Sequence, residues 1–167
     1  MRLIVRVLVA VSGFLTVLSL SAGQTIAGGG GSANVDAAYI HTVLFATSID
    51  VFGAIAAARV GPDGTANDTW FDWSTDLCSA PLVGTTGRSF DFADACRRHD
   101  FAYRNTRLLH RRYGVHAFWN GAARQQIDTL FLTDMKRHCG KRRMIDRPPC
   151  YAWAYTFYNV VRVAGGP

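Results

Sequence analysis

No glutamate occurs in the 167 residues; all twelve acidic side chains are aspartates, so any carboxylate site must be built from aspartate. Cysteine is scarce, and Cys78, Cys96, Cys139 and Cys150 nowhere form a C-x-x-C pair, which removes the usual zinc and thiol-redox motifs. His99, His110, His116 and His138 match no common zinc-ligand spacing. Internal repeats are absent. The leading apolar run, residues 7–20, is interrupted by Ser12, Thr16 and Ser19 and falls short of the roughly 20 residues a bilayer span needs. Eighteen basic residues against twelve acidic ones favour anionic partners, phospholipid surfaces or nucleic acid. Without an acidic cluster for a second metal, a nuclease is the weaker reading, and nucleic acid is not the expected partner.

The N-terminus has the plan of a secretory signal peptide over residues 1–27: Arg2 and Arg6, then the apolar run, then small residues with several candidate cleavage points. The expected location is therefore extracellular. Residues 28–34 begin G-G-G-G-S, which buries nothing and loses much entropy on ordering, so they read as a flexible leader. Residues 35–167 are left as one domain, about 135 residues and long enough for a single core. In an exported chain four cysteines read as two disulfides with three possible connectivities. The nearest-neighbour choice, Cys78 with Cys96 and Cys139 with Cys150, is expected; each short loop closed contributes on the order of 2–3 kcal/mol.

Helical spacing of apolar residues predicts a scaffold pair over residues 35–59, with Ser48 capping the second helix and His41 structural or exposed. Gly61-Pro62-Asp63-Gly64 is a turn. Trp70, Phe71 and Trp73 read as core anchors of an irregular segment, which continues through Pro81, Gly84 and Gly87 until a helix opens at Phe90 or Asp91. On that helix Phe92, Cys96, His99, Tyr103, Thr106 and His110 share a stripe, with Phe101 and Leu108 roughly opposite, so it should be buried on two sides. Arg97, Arg104, Arg107 and Arg111 form a basic flank beside Asp100, solvated by default. A third pattern, residues 119–138, should pack against it and end at Cys139-Gly140. A last helix carrying Trp153, Phe157, Val160 and Val161 is tied back by Cys150.

A Cys78–Cys96 bridge would hold Asp76, two residues before one cysteine, near Asp100, four after the other. With the Leu77 carbonyl they supply oxygen donors for calcium but too few to enclose it, leaving positions for water and substrate. His99 beside such an ion, with an ordinary pKa near ~6.5, suits a general base whose other nitrogen needs an acceptor. Asp128 and Asp134 lie about equally far from the apolar face of the third helix, and periodicity does not choose between them.

The runs D-W-S-T-D-L-C (residues 72–78) and C-R-R-H-D-F-A-Y-R-N (residues 96–105), then Ile127-Asp128 and D-M-K-R (residues 134–137) before Cys139, resemble the small secreted phospholipase A2 family of bacteria and fungi. The resemblance implies an all-α, disulfide-linked bundle with two long antiparallel helices carrying the site. It implies calcium-dependent release of the sn-2 fatty acid from a membrane surface or micelle by a monomer. By the same resemblance His99 would be the base, Asp128 its orienting partner, Tyr103 a buttress, and Asp76, Leu77 and Asp100 the calcium ligands. One departure is visible: Ala102 stands where the family usually has glycine, and its methyl either narrows the acyl channel or fills space on a helix, the second being favoured. The main alternative is a non-catalytic membrane-binding or toxin-like protein on the same fold. Its signature would be loss of the base or a ligand, and His99, Asp76, Asp100 and Asp128 are all present.

Overall fold

A computed structural model describes residues 31–59, 68–79 and 84–165. The expected signal peptide, the leader up to residue 30, the turn at residues 61–64 and the loop around Pro81 lie outside the described residues. Among the described residues there are five α-helices: α1 (Ala33–His41), α2 (Ile49–Arg59), α3 (Ala93–Tyr113), α4 (Gly121–Lys141) and α5 (Arg147–Ala164). Among the described residues there is no strand, only an isolated bridge between Thr86 and Asp91. The chain is an all-α bundle, as expected. Both nearest-neighbour disulfides are present, with Cα–Cα distances of 5.3 Å for Cys78–Cys96 and 5.5 Å for Cys139–Cys150.

Local chemistry sets the helix ends, in places against expectation. Ser32 accepts the Val35 N–H, so α1 starts at Ala33, ahead of the expected Val35, and it runs into a π-helical turn, Thr42–Ala46. Ser48 caps α2 as predicted, accepting from Val51 N at 3.2 Å. Helix α3 opens at Ala93 instead of Phe90 or Asp91. Phe90 and Phe92 stack on each other at 4.7 Å and are buried, while the Asp91 carboxylate accepts the Ala93 N–H. Gly114, at φ 66°, ends α3 in the left-handed conformation that glycine adopts without strain. Helix α4 continues through Cys139-Gly140 to Lys141.

Helices α3 and α4 are antiparallel neighbours: Phe92 meets His138 at one end, His99 meets Asp128 midway and Tyr103 meets Trp119 near the connection. Core lies on both sides of α3, as its two apolar stripes predicted. On one side Phe52, Trp73 and Phe101 cluster, with the last two rings 4.1 Å apart; on the other, Phe92, Phe131, Met135 and Phe157 pack around both disulfides. Phe71 and Trp73 are the buried anchors of their loop, whereas Trp70 is 37% exposed and donates its indole N–H to Asp36. His41 is exposed. Ala102 is fully buried in the Phe52–Phe101 cluster, which supports the space-filling reading of its methyl.

Arg98 is a buried cation, 2% exposed, whose guanidinium donates to the carbonyls of Leu44 and Thr47 and faces Asp134 at 3.4 Å. It thereby closes the C-terminal end of the π-helical turn and fixes α1 and α2 to α3. Burial raises the Asp134 carboxyl above its ordinary range despite the nearby charges of Arg98 and Arg137. Arg98→Met should therefore cost about 3–5 kcal/mol, because it orphans both the carbonyls and a buried carboxylate. Asp134→Asn, which keeps the shape and an acceptor oxygen opposite Arg98 while removing a carboxyl whose charge burial disfavours, should cost less. Urea unfolding of both variants checks the order, and equal losses would contradict it.

Candidate active site

Three helices bring the site together. His99 and Tyr103, one turn apart on α3, face α4, and α5 closes over them. His99 Nε2 lies 2.9 Å from Asp128 Oδ1, and the Tyr103 hydroxyl donates to that oxygen at 2.7 Å. An acceptor on Nε2 makes it the protonated nitrogen of a neutral imidazole and leaves the Nδ1 lone pair for a proton acceptor's role. The ring is held between Tyr103 and Phe131, at centroid distances of 4.3 and 4.6 Å.

Asp128 has no exposed surface. Its second oxygen accepts from Arg162 Nη1 at 2.8 Å, and Arg124 Nε stands 3.6 Å away, one turn earlier on α4. Arg124 also donates to the Arg162 carbonyl, so the two arginines brace each other. Burial alone would raise the Asp128 carboxyl, but hydrogen bonds from His99, Tyr103 and Arg162 outweigh it and leave the group below the usual carboxylate range. Burial first, and then the bond to Asp128, pushes the Tyr103 phenol far up, so it stays a neutral donor.

A cavity of about 300 Å³ opens beside His99. Phe131, Phe157, Val160 and Val161 give it an apolar wall, and Asp76, Leu77 and Asp100 line the other side. Asp100 Oδ2 accepts from the Thr75 hydroxyl at 2.6 Å and the Asp76 N–H at 3.2 Å, which binds the loop to α3 near the Cys78–Cys96 bridge. Burial, and then the adjacent charge of Asp76, raise the Asp100 carboxyl. The Ser79 hydroxyl chiefly keeps Asp76 low, with a smaller contribution from Arg104, which also bonds Asp76 Oδ1 at 3.1 Å. Leu77 sits at φ 58°, a left-handed conformation that a leucine adopts only when its surroundings impose it.

These donors suit a hard cation: all are oxygens, and two are carboxylates whose mutual repulsion a cation would relieve. Among the described residues no three His, Cys, Asp or Glu side chains converge into a closed cage, so the set is open. Asp76, the Leu77 carbonyl and Asp100 are the residues that could hold the ion.

The structure thus gathers His99, Tyr103, Asp76, Leu77 and Asp100 at one cavity, with Asp128 buried behind His99 and Tyr103, while Asp134 goes to Arg98. Sequence reasoning missed Arg162 and Arg124. Arg124 had a signal, its i,i+4 spacing to Asp128; so had Arg162, the lone charge after Arg147 in an apolar helix. The basic flank is less free than expected: Arg97 pairs with Asp94, Arg104 with Asp76, and Arg107 lies over the Trp119 ring at 4.4 Å.

A model of the prokaryotic phospholipase A2 family matches residues 40–165. A secretory phospholipase A2 of Arthroderma benhamiae is 30% identical over 132 residues, 77% of this chain and 78% of its own length. One of Beauveria bassiana is 32% identical over 100 residues, 60% of this chain and 47% of its own. The chain belongs to the prokaryotic phospholipase A2 family. It is accordingly a phospholipase A2, a hydrolase of phospholipids.

The Asp128 carboxyl lies below its unfolded value near ~3.9, so its contribution to stability is present in full above about pH 4 and is lost as pH falls through the folded value. The unfolding free-energy gap between wild type and Asp128→Asn should therefore be widest near neutral pH and narrow in acid. Denaturant titrations from pH 7 to 2 measure it; a gap that stayed constant would contradict the ionised, paired carboxylate.

Proposed function

We propose that this phospholipase A2 releases the sn-2 fatty acid of glycerophospholipids by calcium-dependent attack of water, with His99 as general base. The observation that carries the reading is the pairing of His99 Nε2 with a buried carboxylate at the wall of an apolar cavity rimmed by two further carboxylates. His99 Nδ1 takes a proton from water as the oxygen attacks the ester carbonyl. Asp128 holds the ring in the Nε2–H tautomer and stabilises the imidazolium that forms. Tyr103 keeps Asp128 Oδ1 in place. His99 then returns the proton to the departing glyceryl oxygen.

Asp76, the Leu77 carbonyl and Asp100 would hold calcium, which when bound supplies positive charge for the lipid phosphate and the developing oxyanion. The acyl chain fits the wall made by Phe131, Phe157, Val160 and Val161, which keeps bulk water from the reacting ester. The substrate is a phospholipid in a membrane or micelle, and the working form is a monomer. Secretion is the proposed route, supported by the signal-peptide pattern of residues 1–27 and by the two relatives being secretory phospholipases A2. No helix among the described residues is long and apolar enough to cross a membrane.

Release of a labelled sn-2 chain, with and without a calcium chelator, tests the mechanism. His99→Ala should lower kcat by roughly 10²–10⁴-fold, the range for a positioned acid-base group. Chelation should abolish turnover reversibly, and Asp128→Asn should be far more damaging than Asp134→Asn. Activity surviving both chelation and His99→Ala would sink the proposal. Loss with Asp134→Asn alone would reassign the supporting carboxylate.

A further inference from the structure

Among the described residues, the two most exposed large apolar side chains outside the C-terminal turn are adjacent. Met144 and Ile145 are each 80% exposed, in the short 3₁₀ turn Met144–Asp146 between α4 and α5. Scattered apolar residues on a surface need no explanation, but this pair is displayed by a braced support. The Cys139–Cys150 bridge closes the base of the turn. Arg142 Nε donates to the Ser89 carbonyl at 3.1 Å, Arg147 Nε to the Arg142 carbonyl at 2.9 Å, and Arg143 Nε to Asp146 at 3.0 Å. The tip therefore cannot readily fold back to cover its apolar pair.

Charge is concentrated at the same place. Residues 136–147 hold six basic side chains and one acid, in a chain whose whole excess is +6. Lys141 and Arg143 are open to solvent, their side chains 71% and 84% exposed, although Lys141 stands 3.8 Å from the likewise exposed Asp50 and Arg143 bonds Asp146.

From this tip α5 runs to the active site without a charge between Arg147 and Arg162. Its outward positions include Ala152, Tyr155, Asn159, Val160 and Val163, spaced by the three or four residues that share a helix face. A solvated helix face ordinarily carries charges, and this one carries none. Val160 is both 40% exposed and part of the cavity wall beside His99, so the uncharged face ends at the mouth of the site. The helical distance from Arg147 to Val160 is about 20 Å.

We propose that the Met144–Ile145 tip, its basic collar and the outer face of α5 form a docking surface for an anionic lipid bilayer. The proposal rests on the phospholipase reading for its purpose, though not for its evidence. Charge complementarity selects the occupant: the cations meet lipid phosphates while the apolar pair and the α5 face enter the interfacial layer. A second copy meeting the tip through a two-fold interface would set one basic collar against another, which disfavours it.

Sedimentation with vesicles of ether-linked phosphatidylglycerol or phosphatidylcholine, which carry no hydrolysable ester, tests the surface with the chelator present throughout. Wild type should bind the anionic vesicles at least about tenfold more tightly than the neutral ones. The Met144→Ser/Ile145→Ser and Lys141→Gln/Arg143→Gln variants should each lose about tenfold or more of that binding. Both should hydrolyse a short-chain phospholipid, kept monomeric and given calcium, at the wild-type rate. Failure of that hydrolysis in wild type as well, with vesicle binding retained, would count against the catalytic reading and leave the docking surface standing. Undiminished binding by the variants, no binding by wild type, or wild-type dimers that the Met144→Ser/Ile145→Ser change dissociates would overturn the proposal.

Discussion

A carboxylate with no exposed surface stays ionised only if its oxygens are filled by donors, and Asp128 draws those donors from three helices. His99 and Tyr103 come from α3, Arg124 from α4 itself and Arg162 from α5. Desolvating such a group costs several kcal/mol, which the contacts offset only while all are in register. The same constraint therefore sets the helix packing and the orientation of the imidazole. Removing a donor would disturb the imidazole as well as the bundle.

The two disulfides work at a distance from this carboxylate. Cys78–Cys96 fixes the loop that brings Asp76 and Leu77 beside Asp100, and Cys139–Cys150 joins α4 to α5 at the end opposite Arg162. Between that bridge and the arginine, Phe131 and Phe157 contribute to the cavity wall. Rigid anchors at both ends of the α4–α5 pair explain how a chain of this size keeps an apolar cavity open: collapse would require breaking either a covalent link or a buried ion pair.

Much of the fold was legible because its signals are local. The double apolar stripe of α3 predicted core on two sides, Ser48 predicted the start of α2, and four cysteines behind an expected signal peptide predicted two bridges. The start of α3 was misplaced because Phe90 and Phe92 look like helix residues by spacing but are buried as loop anchors. The choice between Asp128 and Asp134 was illegible from periodicity, since both lie equally far from the apolar face of α4. Register decides it in space: Arg98 and His99 are consecutive on α3, about 100° apart, and take different aspartates. Arg162 stood out as a single charge at the end of an apolar helix, but nothing local reveals that it points inward to a carboxylate on another helix.

The central claim is that Asp128 fixes His99 with its proton on Nε2 and a free lone pair on Nδ1. Nitrogen-15 NMR of the histidine side chains reads this directly. At a pH where His99 is neutral, the account predicts a protonated Nε2 and an unprotonated Nδ1 in wild type, and a mixed tautomer population in folded Asp128→Asn. A dominant Nδ1–H tautomer in wild type, or a population indifferent to Asp128, would contradict it.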